Sequence, residues 1–174
     1  MHDDPSRTTP LGMIRYSHEF MEAALAVDDK IGNRPGFEIV APIPVLYLVG
    51  HSIELSLKAY LLYKGVALRE LRSKRHFGHS LHTCLRKAKE LGLLSHVKFS
   101  VQEEGAFEIL DNLYSTKQLE YIVTGAKHFP IFGLIEVFAV KLFNAVSGIV
   151  GFNKQFEGYV KAPSVLRAPV ALER

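Results

Sequence analysis

Apolar positions return at helical spacing along nearly the whole chain. Thr9 before Pro10 reads as an N-cap with proline at the first helical position, and Ile14, Phe20, Ala24 and Val27 then recur, predicting a first helix over 10–30. The Gly and Pro of GNRPGF, residues 32–37, mark a loop. Pro42 and Pro44 open a second long helix that runs to about Lys64, with Gly65 as its stop and an inner stripe of Val45, Leu48, Ser52, Leu55, Ala59 and Leu62. A short helical turn over 67–74 follows, ending before the Phe77–Gly78 pair.

From about His79 to Gly92, residues Leu81, Cys84, Leu85, Ala88 and Leu91 keep to one helical face, while His82, Arg86, Lys87 and Lys89 occupy the other. Ser100 with Glu103 three residues on is a capping box, and Phe107, Leu110, Leu113 and Tyr114 carry an amphipathic helix to about Lys117. The β-branched and aromatic content of LEYIVTG, 119–125, favours a short extended segment, too solitary to build a sheet. A sixth helix begins near Pro130, and its apolar residues, among them Phe132, Leu134, Ile135, Val137, Phe138, Leu142 and Phe143, spread around the circumference. That distribution suits a central or dimer-forming helix.

Helices with short loops and no sheet predict an all-α, up-and-down bundle of four main helices plus short extra ones. The length of 174 residues is that of one domain, assigned here to 1–160, with a Pro-containing tail over 161–174 whose Val165, Leu166, Val170 and Leu172 suit a strap on the bundle or on a partner subunit. At 48% hydrophobic and 22% charged, the composition is that of a folded soluble protein. The segment 129–152 nears bilayer-spanning length, but Glu136, Lys141 and Asn144 inside it favour a buried or interface helix, and no membrane attachment is expected. A single cysteine, Cys84, excludes an intrachain disulfide and a multi-cysteine zinc site, and with an N-terminus unlike a secretory signal it points to the cytoplasm.

Net charge is only +3, so any contact with nucleic acid must come from a local patch. One exists: Arg69, Arg72, Lys74, Arg75, Arg86, Lys87 and Lys89 surround the stretch HFGHSLHTCLRKAKELG, residues 76–92. Its histidines His76, His79 and His82 are three apart, which on an unbroken helix would share a face as metal ligands do, but Gly78 interrupts the helix and no acidic or cysteine ligand stands beside them. No metal and no cofactor are therefore expected. Phosphate-cradling glycine loops, serine-hydrolase elbows and zinc-protease helices are missing from the sequence.

Read together and in order, HSIELSLKAYLLYKG, FGHSLHTCLRKAKELG and ILDNLYSTKQLEYIVTG resemble the HEPN superfamily of small helical-bundle proteins, in particular its bacterial branch with an IELxLKAYLL helix followed by a GHxL motif. The resemblance covers about residues 45–125. It implies a HEPN-like fold, a cytoplasmic homodimer, and a place in stress, defence or toxin–antitoxin systems with RNA, a nucleotide, a cognate antitoxin or a nucleotidyltransferase as partner. The RNase members carry an Arg, four to six variable residues and a His, so placed that two subunits share one metal-independent cleft. Arg72 and His79 match that spacing, as do Arg69 with His76 and Arg75 with His82.

The resemblance makes His79 the candidate proton carrier and Arg72 the candidate phosphate holder of a metal-independent endoribonuclease, roles suited to an imidazole and a guanidinium. Arg75, His76, His82 and Arg86 are the candidate RNA- or nucleotide-binding residues. Glu54 and Lys58, spaced i, i+4 in the orientation that favours an ion pair, are candidate supports for His79 or, equally, a plain surface pair. Tyr121, with Tyr114 and Lys117, offers stacking or phosphate contacts, or half-buried packing. Two other readings of His79 stand beside catalysis: passive phosphate contact, and a structural ring bonded to its loop or to the Glu54 and Lys58 face. The alternative function is a non-catalytic dimeric interaction protein with the same bundle.

Overall fold

A computed structural model of the chain describes residues 7–121 and 124–157. Among them every regular element is helical. Helix α1 spans Pro10–Val27, capped as expected by the Thr9 hydroxyl, which accepts the Gly12 N–H at 3.0 Å, and it ends in a π-turn, Asp28–Gly32. Helix α2 covers Ile43–Tyr63, α3 is the single turn Leu68–Arg72, α4 covers Leu81–Glu90, α5 Val101–Ser115 and α6 Phe132–Val150. The Ser100/Glu103 capping box forms as expected, with the Ser100 hydroxyl accepting the Glu103 N–H and the Glu103 carboxylate accepting the Ser100 N–H.

Two elements differ from the sequence reading. The described part of 119–125 is turn and bend rather than extended, because the chain reverses straight after α5 with Lys117 in a left-handed conformation, φ 62°. Helix α4 begins at Leu81 rather than near His79, since the Ser80 hydroxyl takes the Thr83 N–H and makes Ser80 the cap. His79 thereby belongs to the turn before the helix. The C-terminal tail falls outside the described residues.

The all-α bundle is organised around α2, which packs against α1, α4, α5 and α6. Its expected stripe of Val45, Ser52 and Ala59 is buried, but so are Leu46, Val49, Ile53, Leu57, Tyr60 and Leu61 from its other sides, while Leu48, Leu55 and Leu62 stay half-buried. A helix enclosed on several sides loses the clean two-faced pattern, which is why one stripe undersold it. Helices α2 and α6 are both long and apolar enough to cross a membrane by composition alone, yet 72% and 50% of their apolar windows are buried inside the bundle. The polar residues inside α6 have protein partners: Lys141 Nζ lies 2.7 Å from Glu103, and Asn144 bonds the backbone of Phe156 in both directions. Phe138 of α6 stacks on Phe99 at 4.1 Å between centroids and tilts against Phe107 at 4.8 Å, forming the aromatic centre of the core.

Between α1 and α2 the contact is polar in its middle. Ser17 Oγ lies 2.9 Å from Ser52 Oγ and 2.8 Å from Ser56 Oγ, and Ser52 Oγ donates back to the Ser17 carbonyl at 2.9 Å. All three serines are buried and satisfied.

After α6, residues 151–157 fold back over α1. Ser147 and Asn144 clasp this stretch by its backbone, and Phe156 stacks on His18 at 4.9 Å while Phe143 and Phe152 enclose the ring. His18 is 6% exposed, with Nδ1 at 3.1 Å from Glu22. Burial holds its imidazole below the ordinary value and the nearby Lys154 adds to this, against the opposing pull of Glu22 and Glu19. A folded-state value below the unfolded one means that the neutral ring's contribution is complete above the unfolded value of 6.5 and is lost as pH falls through the lowered folded value. Acidification from about pH 7 to 5 should therefore lower the melting temperature of the wild type more than that of His18→Phe, which keeps the stack without the proton. Identical pH dependence of the two melts would refute this role for His18.

Candidate functional site

The polar centre of the molecule grows from one residue of α2. Glu54 points into the bundle with its side chain only 4% exposed, and a lone carboxylate there would be expensive to desolvate. Lys58, one turn on, places Nζ at 2.6 Å from Oε1, so the pair legible from its i, i+4 spacing is made, but inside the protein rather than on its surface. Lys58 Nζ also donates to the Gly78 carbonyl at 2.7 Å, which fixes the loop before α4 onto α2. Gly78 sits at φ +50° with the Lys74 backbone 3.3 Å from where a Cβ would be, so a glycine is what lets the loop close there.

With the loop fixed, His79 swings over the same carboxylate. Its Nδ1 is 3.2 Å from both Glu54 oxygens while the side chain remains 53% exposed. The start of α4 is held from the other direction, where Asp111 of α5 accepts the Leu81 N–H at 2.7 Å. From α5 also comes Tyr114, whose hydroxyl donates to Glu54 Oε2 at 2.6 Å and lies 2.8 Å from Nδ1 of His51. His51, three residues before Glu54 on α2, has Nδ1 at 3.7 Å from the same Oε2 and keeps 27% of its side chain exposed, with the Phe20 ring near perpendicular at 4.4 Å and the Tyr47 ring parallel at 6.3 Å between centroids.

Tyr114 reaches this position because residue 50 is glycine: a Cβ there would lie 2.6 Å from Tyr114 Cδ2. The electrostatics follow from the contacts. Burial works to raise the Glu54 carboxyl, but the His51 ring, the Lys58 ammonium and the Tyr114 hydroxyl together hold it well below the usual carboxylate range. Tyr114 is pushed far up, first by burial and then by the Glu54 charge it faces, so it stays a hydroxyl. Cys84, buried behind Lys58, is raised to about 12, mainly by burial, and remains a neutral thiol.

Those states determine the tautomers. An ionised carboxylate only accepts, so His79 Nδ1 carries the proton toward Glu54. The Tyr114 proton is spent on Glu54, so its oxygen accepts and His51 Nδ1 must donate. In their neutral forms both rings consequently hold a lone pair on Nε2, the edge turned away from the carboxylate.

Of the residues singled out from sequence, His79, Glu54 and Lys58 meet at this centre. The others make different contacts. Arg72 donates to the Thr8 hydroxyl at 3.2 Å, His76 Nδ1 sits 3.1 Å from Ser73 Oγ, and Arg75 is exposed on the same turn. His82 pairs with Glu108 at 2.9 Å and, with Arg86, lines a shallow groove of about 340 Å³ that also contains Lys89 and Glu90. Tyr121 is exposed with Lys117 over its ring at 5.9 Å. The three histidines His76, His79 and His82 thus go to three different partners, and among the described residues no group of three or more His, Cys, Asp or Glu is placed to hold a metal ion.

His51 and the role of Tyr114 were not legible in the same way. His51 shares a face with Glu54 at i, i+3, and Gly50 inside a long helix marks a close approach; those were the available signals. Compared with known proteins, the chain matches no family model, no curated protein and no solved structure.

Glu54→Gln should cost about 3–5 kcal/mol in urea unfolding, because it leaves the Lys58 ammonium buried without its anion, and Lys58→Met added to Glu54→Leu should recover most of that loss. A single substitution costing under about 1 kcal/mol would contradict the buried pairing. Gly50→Ala should cost about 1–3 kcal/mol and alter tyrosine fluorescence by displacing the Tyr114 ring. An unchanged midpoint and spectrum would count against the Gly50–Tyr114 contact.

Proposed function

We propose that this chain is a HEPN-like RNA- or nucleotide-binding protein, acting as a cytoplasmic homodimer in a stress, defence or toxin–antitoxin setting, with His79 at its phosphate-contacting site and metal-independent RNA cleavage as its activity. One observation carries the reading: a half-exposed imidazole whose inner nitrogen is held by a buried carboxylate that its neighbours favour in the ionised form. A ring that must accept a proton and meet a phosphate gains from a carboxylate held behind it. The order of the IELSLKAYLL helix, the GHSL turn and the following helix supports the same reading, because those segments are the ones that supply Glu54, Lys58, His79 and Tyr114. Arg75, His76, His82 and Arg86 provide further donors on the exposed turn and on α4, and an antitoxin or nucleotidyltransferase is the partner such a protein would have.

A second reading has its own observation. Within one chain Arg72 is drawn to Thr8 and not to Glu54, which suits a non-catalytic dimeric interaction protein that keeps the bundle.

Binding of a fluorescein-labelled, unstructured RNA, followed by anisotropy in chelator and low salt, separates these. His79→Ala should weaken binding about tenfold, the value of one charge-assisted hydrogen bond, and affinity should fall steeply with salt. Failure of the wild type to bind RNA or mononucleotides would remove the first reading and leave the second.

A further inference from the structure

The Glu54 carboxylate serves two imidazoles, and only one of them belongs to the motif that points to the site. We propose that His51 is a second catalytic residue, paired with His79 across Glu54, and that the two cleave single-stranded RNA by transfer of the phosphoryl group to the neighbouring 2′-hydroxyl. The proposal rests on the preceding reading that the His79 face receives RNA.

Two features of the geometry suit such a pair. Both rings have Nδ1 committed inward, His79 to Glu54 and His51 to the Tyr114 hydroxyl and, at longer range, to the same oxygen of Glu54. Both therefore present Nε2 as the working atom in a fixed tautomer, and both side chains retain exposed surface, 53% and 27%. Acid–base catalysis needs one ring neutral and the other protonated at the same moment. One buried carboxylate, already paired with Lys58, stands behind both rings. Among the described residues no other charged side chain is bonded to either ring, and His51 also contacts Phe20 of α1, Tyr47 of α2 and Tyr114 of α5.

The roles divide by contact. In the proposed reaction His79, which touches the carboxylate at 3.2 Å, takes the part of the acid, and His51, whose Nδ1 is bonded to the Tyr114 hydroxyl at 2.8 Å, takes the part of the base. His51 Nε2 takes the proton of the 2′-hydroxyl, O2′ forms a bond to phosphorus, the bond from phosphorus to O5′ breaks, and the His79 imidazolium gives its proton to O5′. The products are a 2′,3′-cyclic phosphate and a free 5′-hydroxyl, and no electrons change hands.

The test uses the full chain and a fluorophore–quencher oligonucleotide in which one ribonucleotide interrupts DNA, in chelator, over a pH series. The expected wild-type result is cleavage with a bell-shaped pH profile, products ending in a cyclic phosphate, and no cleavage of the all-deoxy oligonucleotide. His51→Asn, whose amide can replace the Nδ1 donor toward Tyr114, should bind RNA within threefold of wild type while cleaving at least a hundredfold more slowly, and should lose the acidic limb of the profile. His51→Gln is the second variant if the first does not reach the native circular dichroism spectrum. Wild-type cleavage rates in a folded His51 variant, or wild-type protein that binds the oligonucleotide and never cuts it, would overturn the pair while leaving RNA binding at His79. Protein that neither binds nor cuts would overturn both.

Discussion

An ionised carboxylate buried in the middle of α2 dictates how the surrounding elements must be arranged. Glu54 would be intolerable alone, and each group that relieves it imposes a demand of its own. Lys58 supplies the counter-charge, but its ammonium has further protons to place and uses one on the Gly78 carbonyl. Gly78 must then adopt a left-handed turn, and that turn delivers His79 to the carboxylate. Tyr114 supplies a hydroxyl from α5, which requires a helix surface without a side chain at Gly50. Helix α2, the loop before α4, and α5 are joined at one polar point in the core.

This arrangement also separates two duties that a surface ion pair would confuse. The charge that sets orientation is inside, screened from salt, while the rings it orients face outward. Lys58 and Tyr114 hold Glu54 from inside the bundle, so the carboxylate keeps its place independently of what meets the outer edges of the rings. The proposed chemistry depends on that independence.

Local rules carried the sequence reading a long way. Leu81, Cys84, Leu85 and Ala88 are buried on the face their spacing predicts, and the Thr9 cap and the Ser100 box form where their side chains can reach orphan N–H groups of the first turn. These features involve neighbours within a turn of helix, so they are visible along the chain. The burial of Glu54 is set by residues such as Gly78 and Tyr114 that lie far away in sequence, and an i, i+4 pair looks the same on a surface as in a core. The convergence of His51 with Tyr114, sixty-three positions apart, is beyond any local pattern. Only the glycine at position 50 betrays it. The segment 119–121 shows the opposite failure, in which strand-forming residue types follow a helix so closely that the reversal of the chain decides their conformation.

The buried serines between α1 and α2 matter to the site although they stand on a different side of α2. Apolar side chains slide past one another at little cost, but hydroxyls that satisfy each other do so in one alignment, and a shift of α1 by one turn would strand Ser17, Ser52 and Ser56 without partners. The ladder works as a vernier between the two helices. Phe20, which borders His51, and His18, which receives the stretch after α6, both ride on α1 within a turn of Ser17. Three small hydroxyls thus set the axial position of groups that never touch them.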